Sequence, residues 1–181
     1  MRRGLRSLLR SAGPRELLVR YLLLREFCRL LLILAFVLAI TQANVLQTSN
    51  TSAVSSITTP AFTPVANRLY LFYVYHSLNG TPNIPTASTT TGLTLVQVGT
   101  ATRDGSRTTI FRAMKASGLG SGTATFDCAG QTQDTWFVSV DEFQGIDTTG
   151  TDGAGAIVQV VTAVSATSLS QSVKATLAAF G

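Results

Sequence analysis

The sequence has few of the residues on which many enzymes depend, with one histidine and two cysteines in 181 residues. His76 has no second histidine with which to share a metal ion or relay a proton. The neighbouring Ser77 does not lie in the Gly-x-Ser-x-Gly motif of a nucleophile elbow. These shortages argue against a hydrolase. We predict a non-enzymatic protein with no catalytic residue, no cofactor and no metal ion.

The two cysteines lie in different parts of the chain. Cys28 belongs to the N-terminal segment and Cys128 to the body, so the sequence indicates no disulfide framework. Cys128 has the same parity as Ala124 and Phe126, which favours a small buried hydrophobic side chain. A reactive or intermolecular thiol is the alternative.

Basic residues are scarce after the first 43 positions. The whole chain has a formal charge of +5, but residues 1–43 contain eight arginines against two acids, a balance of +6. Residues 44–181 contain six cations and seven acids, a balance of −1. Since the basic excess lies in the N-terminal segment, a nucleic-acid function of the body loses its support, and we predict no nucleic-acid partner.

The N-terminal segment resembles an export signal. Leu30–Ile40 is an apolar run of eleven residues preceded by arginines, which is shorter than the roughly 20 residues of a membrane-spanning helix. Small residues follow, and we predict cleavage between Ala43 and Asn44. Two alternatives remain: an uncleaved signal-anchor that contacts the membrane only through this leader, or upstream sequence joined to a body that begins near Ala43.

The body is organised around the stretch Thr135–Asp147, in which large apolar residues alternate with others. The residues of its apolar face are Trp136, Val138 and Val140. This alternation is typical of a strand with one buried face. Phe143 is apolar where a polar residue is expected, and we attribute this change of phase to a bulge or strand end at Asp141–Glu142.

Similar patterns predict further strands in the body. They cover Ala53–Thr58, Leu69–His76, Leu93–Thr102, Thr108–Met114, Thr123–Ala129, Ala156–Val164 and Ser172–Ala179. Leu69–His76 is apolar on both faces, which suits a central strand covered on both sides. Asp104-Gly105 predicts a tight hairpin turn, and a change of phase after Leu95 predicts a bulge. Ser77–Gly92, with two prolines, is predicted to be a long loop.

Seven or eight strands without a helical period in the body predict an all-β domain. We expect a two-sheet antiparallel β-sandwich, Ig-like or jelly-roll-like, over residues 44–181, preceded by a basic and apolar helical leader over residues 1–43. The sequence stops inside or just after a strand. We therefore expect a homologous domain to continue for another strand or two.

Three stretches resemble a loose group of uncharacterised β-sandwich proteins from phage genomes, prophages and environmental sequences. They are Asn67–His76, Thr109–Ser117 and Phe137–Asp147, and the resemblance extends over roughly residues 45–180. The shared features are an acidic-aromatic-x-Gly-hydrophobic-Asp turn at Glu142–Asp147 and a strand that ends in Arg112-Ala113. The resemblance implies a virion or tail-associated structural module, or a secreted surface module, and carries over no catalytic residue.

The remaining polar and aromatic candidates have structural alternatives. Three tyrosines lie close to Phe72 in one strand, namely Tyr70, Tyr73 and Tyr75. They form either an aromatic platform for sugar rings or part of the packing of a central strand, which we favour. Asp141 and Glu142 are consecutive in a strand, so they point to opposite faces and do not form an acid–base pair. Asp147 and Asp152 lie in a loop that could supply oxygens to Ca²⁺, although the spacing fits no known calcium loop.

These observations favour a structural or assembly protein that acts through sheet edges and through the Ser77–Gly92 loop. We predict self-association into an oligomer or filament by strand addition, with residues 44–59 as the donated segment. The alternative is a secreted carbohydrate-binding or adhesive module. We expect export to the cell exterior or surface, or a place in a virion if the leader is not native.

Overall fold

The computed structural model describes residues 21–26, 40–164 and 171–179. The chain divides into two compact units, Met1–Ala39 and Ile40–Gly181. In the first unit, residues 21–26 are helical. Cys28 and all of the predicted signal core except Ile40 lie outside the described residues. No helix among the described residues is long and apolar enough to cross a bilayer.

The second unit is built from antiparallel strands, ten of which lie in the described residues. They are β1 (Thr41–Asn50), β2 (Ser56–Thr58), β3 (Leu69–Ser77), β4 (Thr86–Thr89), β5 (Val96–Arg103), β6 (Ser106–Ala113), β7 (Ala124–Asp127), β8 (Thr135–Gln144), β9 (Ile157–Val164) and β10 (Gln171–Leu177). A short 3-10 turn, Thr151–Gly153, precedes β9.

The strands form a five-stranded main sheet in the order β1-β8-β3-β6-β5, a three-stranded small sheet in the order β2-β7-β4, and the β9–β10 pair. The pairs within all three sheets are antiparallel. This arrangement confirms the predicted all-β antiparallel sandwich. The β9–β10 pair adds a layer on the other face of the main sheet, which the sequence did not predict.

The first core lies between the main sheet and the small sheet. From the main sheet it takes alternate residues of β3, β6 and β8, and from the small sheet mainly residues of β7. The Phe126 ring of β7 packs 5.4 Å from the Phe111 ring and 6.0 Å from the Phe72 ring, measured between centroids. Trp136 is fully buried in this core, and its indole N–H donates to the carbonyl of Val54 at 3.2 Å.

The second core lies on the opposite face of the main sheet, under β9 and β10. It contains Leu69, Leu71 and Ile110, with Val173 of β10 packed against them. At Gly99 of β5 an added Cβ would lie only 2.7–2.8 Å from two valine methyl groups of the β9–β10 pair. Because cores lie on both of its faces, β3 is the central covered strand that its sequence predicted.

The predicted bulge at Asp141–Glu142 is wrong. β8 pairs with β3 in continuous register through this point, with Leu71 opposite Asp141 and Tyr70 opposite Glu142. Phe143 lies on the face of β8 that regular alternation gives it, and it is buried in the second core. The face of β8 that exposes Phe137 is covered by the second core at Phe143, so the hydrophobic pattern changes without a change in the backbone. The register shift lies instead in β1, between Asn44 and Leu46.

Other features of the strands also differ from the predictions. β5 begins at Val96, and its register shift lies between Gln97 and Gly99, a few residues after the predicted bulge. The predicted loop Ser77–Gly92 contains the short strand β4, which pairs with β7. β1 was not predicted as a strand of the chain's own sheet, because its residues show no apolar alternation; residues 44–59 were predicted only as a segment donated to another copy. The Asp104-Gly105 hairpin is confirmed, since Arg103 pairs with Ser106 across it.

Candidate functional site

The edge strand β1 is the most exposed strand of the main sheet. Its sequence, Thr41–Asn50, contains no charged residue, and its first five residues are exposed. It pairs with β8 on its inner side, and within the described residues no strand pairs with its outer side. A long uncharged edge lacks the features, such as lysine, proline or short length, by which proteins prevent pairing with another chain.

The predicted processing residues lie inside β1. Ala43 is opposite Glu142 and Asn44 is opposite Asp141. The side-chain amides of Gln42 and Asn44 each donate to the Asp141 carboxylate at 2.7 Å. Cleavage after Ala43 would thus remove the first of these hydrogen bonds and keep the second. The cleavage itself stays a prediction.

Asp141 and Glu142 point to opposite faces, as the sequence predicted. Glu142 accepts hydrogen bonds from the Tyr70 hydroxyl and from the Arg68 guanidinium. The Tyr70 oxygen in turn accepts from the backbone N–H of Val65 at 2.8 Å. Burial, followed by the hydrogen bond to Glu142, raises the pKa of Tyr70 far above its ordinary value. Glu142 therefore fixes the chain before β3 to the end of β8, which is a structural role.

The aromatic residues of β3 divide between the two faces. Tyr70 and Phe72 are buried in the first core, so they are not part of a sugar-binding platform. Tyr73 and Tyr75 are half-buried on the opposite face. Tyr75 lies opposite Phe137 of β8, which is 39 % exposed. We call Tyr73, Tyr75 and Phe137 the aromatic strip. Strand parity places Tyr70 on the face opposite Tyr73 and Tyr75, so the predicted grouping of the three tyrosines was wrong, although parity alone does not tell which face is covered.

His76 is fully buried in a small polar cluster beneath the first core. Its Nδ1 lies 2.9 Å from Oε1 of Gln133 and 3.9 Å from Sγ of Cys128, and its ring stacks on Trp136 at 4.7 Å. Burial lowers the pKa of His76 and raises the pKa of Cys128 to about 11. At neutral pH both groups are thus uncharged, the opposite of a thiolate–imidazolium pair. Gln133 was not singled out from the sequence.

The loop acids do not form a cluster. Asp147 accepts a hydrogen bond from the backbone N–H of Thr149 at 2.8 Å, which lowers the pKa of Asp147. Within the described ranges, no group of three or more His, Cys, Asp or Glu side chains is placed to hold a metal ion. Asp147 and Asp152 therefore do not belong to such a group, and the calcium site stays a prediction that these side chains alone do not support.

A groove of about 430 Å³ lies at the end of β3, beside the β5–β6 turn. Its lining comprises Tyr75, Ser77, Leu78, Asn79, Arg103, Asp104, Gly105, Ser106 and Asp134. We call it the Tyr75 groove. It includes the first residues of the predicted working loop Ser77–Gly92. Arg103 and Asp104 form an ion pair of 2.8 Å on its rim.

Comparison with known proteins gives no match to a family model, a curated protein or a solved structure. The resemblance to phage and secreted β-sandwich proteins therefore stays a prediction.

Proposed function

We propose that this protein is a non-enzymatic assembly subunit, and that copies associate by pairing β1 of one chain with β1 of another. The observation that carries the proposal is the outer edge of β1 (Thr41–Asn50), ten residues long and without a charge. Unpaired N–H and C=O groups along such an edge are a template for a further strand.

The opposite edge of the main sheet is better protected. β5 ends in Arg103 and contains a register shift next to Gly99. The β9–β10 pair packs closely over Gly99. Bulges, charges and covering elements all reduce edge-to-edge pairing. The contrast between the two edges supports β1 as the associating strand.

Antiparallel pairing of two β1 strands would give a twofold-symmetric dimer. Each copy would present the same surface, as closed dimers require, and the two five-stranded sheets would form one continuous sheet. The aromatic strip and the exposed polar side chains of β1 would remain accessible on its open face. The first core would not need to change, because Leu46 is the β1 residue that packs against it.

Donation of residues 44–59 to a neighbour is a less direct route. The place beside β8 is occupied by the chain's own β1, and Ser56–Thr58 pairs with β7 in the small sheet. Donation would therefore require an exchange of β1 about Thr51–Ser55. Exchange conserves the strand pairs of the monomer, whereas outer-edge pairing adds new ones, and this difference separates the two routes experimentally.

Sedimentation velocity of the wild-type protein over a range of concentrations tests the proposal. We expect the mass to rise with concentration, and the double variant Gln47→Lys/Ser49→Lys to weaken association by roughly tenfold or more, because like charges oppose each other across the new pair. The control is Thr86→Lys/Ser88→Lys on the exposed positions of β4. Association that survives the β1 change, or equal weakening by both variants, contradicts outer-edge pairing. A wild-type protein that stays monomeric contradicts the function.

We further propose that the leader directs export, supported by the arginines and the apolar run Leu30–Ile40. The intact mass of protein recovered from the medium of an expressing culture tests this. We expect a chain that begins at Asn44 and keeps residues 44–50 of β1 for the pairing proposed above, including the exposed Gln47 and Ser49. A full-length chain found within the cells is the contrary result.

A further inference from the structure

We propose that the Tyr75 groove binds a neutral or amino-bearing saccharide. The site is separate from the β1 edge and is not needed for the association proposed above. The groove has a volume of about 430 Å³, which falls in the range of roughly 300–1,000 Å³ that is typical of small-molecule sites.

The walls of the groove are held in place by the backbone. The N–H of Leu78 donates to the carbonyl of Gly105 at 2.8 Å, and the N–H of Asp134 donates to the carbonyl of Ser77 at 2.7 Å. Gly105 has a φ of +78°, and an added Cβ would lie 2.4 Å from the carbonyl oxygen of Leu78. The turn therefore needs glycine in order to approach the loop this closely. A groove fixed in this way loses little conformational entropy when a ligand binds.

The groove combines an aromatic ring with hydrogen-bonding groups. Tyr75 offers part of its ring on the open face of the main sheet. The amide of Asn79 and the carboxylate of Asp134 lie on exposed residues, and neither side chain has a hydrogen-bond partner within the part of the chain that the structure describes. A pyranose needs this combination, because its hydroxyls both donate and accept while its C–H face is apolar and suits an aromatic surface.

The charges of the groove exclude other ligand classes. The lining contains two acids, Asp104 and Asp134, and one base, Arg103, whose guanidinium is already paired with Asp104. The resulting balance of −1 disfavours phosphates, nucleic acids and acidic sugars. Leu78 is the only aliphatic side chain among the lining residues, so an apolar ligand would find little surface.

The aromatic strip extends the groove along the open face. Phe137 lies directly opposite Tyr75. Tyr73 lies two residues along β3, about 6–7 Å away, and is partly covered by the second core. A longer oligosaccharide whose first unit occupies the groove could therefore contact further rings. We infer that the site accepts an oligosaccharide as well as a single sugar unit.

Isothermal titration of the full chain with cellobiose, chitobiose, lactose and maltotriose, and with a heparin disaccharide as the acidic probe, tests the proposal. We expect at least one of the four non-acidic sugars to bind and the acidic probe not to bind. Tyr75→Ala should weaken binding about tenfold, whereas Tyr75→Phe, which keeps the ring, should bind like the wild type. Asp134→Asn should also weaken binding, while the matched control Asp152→Asn, outside the groove, should not.

Three results would overturn the proposal: no binding of any of these sugars at concentrations up to about 10 mM, binding of the acidic probe alone, or binding that Tyr75→Ala and Asp134→Asn leave unchanged. Thermal unfolding of each variant shows whether it folds. If Tyr75→Ala does not fold, the comparison of Asp134→Asn with Asp152→Asn decides, because both positions lie outside the cores.

Discussion

The two neighbouring acids of β8 are expected to contribute very differently to the stability of the fold. Glu142 has a side chain that is 13 % exposed and accepts from Tyr70, whose residue is 1 % exposed. Asp141 accepts from Gln42 and Asn44 at exposed positions. Although the two acids are consecutive, we expect Glu142→Ala to destabilise the fold far more than Asp141→Ala.

The expected loss in the free energy of unfolding follows from the hydrogen-bond partners that each substitution leaves without an acceptor. A hydrogen bond to a charged acceptor contributes roughly 1.5–3 kcal/mol, and the Tyr70 hydroxyl would lose that acceptor in a buried position. The Arg68 ion pair is partly exposed and adds at most about 1 kcal/mol. We therefore expect Glu142→Ala to lower the free energy of unfolding by about 3 kcal/mol, and Asp141→Ala to lower it by about 1 kcal/mol or less.

Urea denaturation of the two variants measures the difference, and Tyr70→Phe completes a double-mutant cycle. Because Tyr70→Phe removes the same hydrogen bond, the effects of Tyr70→Phe and Glu142→Ala should not add, with a coupling of about 1 kcal/mol or more. Equal effects of the two alanine variants, or fully additive effects of Tyr70→Phe and Glu142→Ala, would refute the reasoning.

Three further predictions concern the cores. Folding lowers the pKa of His76 below 6.5, so the unfolded chain binds the proton first, and stability should fall by up to about 1.4 kcal/mol per pH unit below pH 6.5 until the folded pKa is reached. His76→Phe should remove that part of the slope in denaturation at pH 5–7, and an unchanged slope would contradict it. Gly99→Ala should lower the free energy of unfolding by about 1–3 kcal/mol, because the added methyl group overpacks the β9–β10 valines. Gly120→Ala is the control, since no heavy atom lies within 4 Å of a Cβ added there. Equal effects of the two variants in thermal melts would contradict this packing. Phe126→Ala in the first core should lower the free energy of unfolding by about 3–5 kcal/mol. Phe137→Ala, at an exposed position, should lower it by less than about 1 kcal/mol. Similar losses for the two variants in urea denaturation would contradict the assignment of the core.

The sequence predicted those strands that have at least one apolar face. β6 and β8 were recognised because one face of each is apolar and β3 because both of its faces are, and the Asp104-Gly105 turn because its residues tolerate positive φ, here 42° and 78°. β1 was not recognised because it is an edge strand. It is held by the backbone pairs with β8 and by hydrogen bonds of polar side chains, neither of which leaves an apolar pattern in the sequence.

The second covered face explains the wrong prediction of a bulge in β8. The apolar Phe143 was attributed to a bulge, since nothing local indicates that a distant pair of strands covers that end of β8.

The candidate site at the Tyr75 groove was predicted in part. The loop after Ser77 was expected to be functional, but the contribution of Asp134 depends on long-range pairing that brings Thr135 opposite Ser77. Which tyrosines are exposed depends on the same tertiary arrangement.

Amide hydrogen exchange along β1, measured at low and at high protein concentration, tests the central claim most directly. If copies pair through the outer edge of Thr41–Asn50, alternate amides of β1, those directed away from β8, should exchange rapidly in the dilute sample and become protected in the concentrated one. The amides of β4 should not change. Exchange of the β1 amides at the same rate in both samples, while the sedimenting mass increases, would contradict the claim and place the contact elsewhere on the protein.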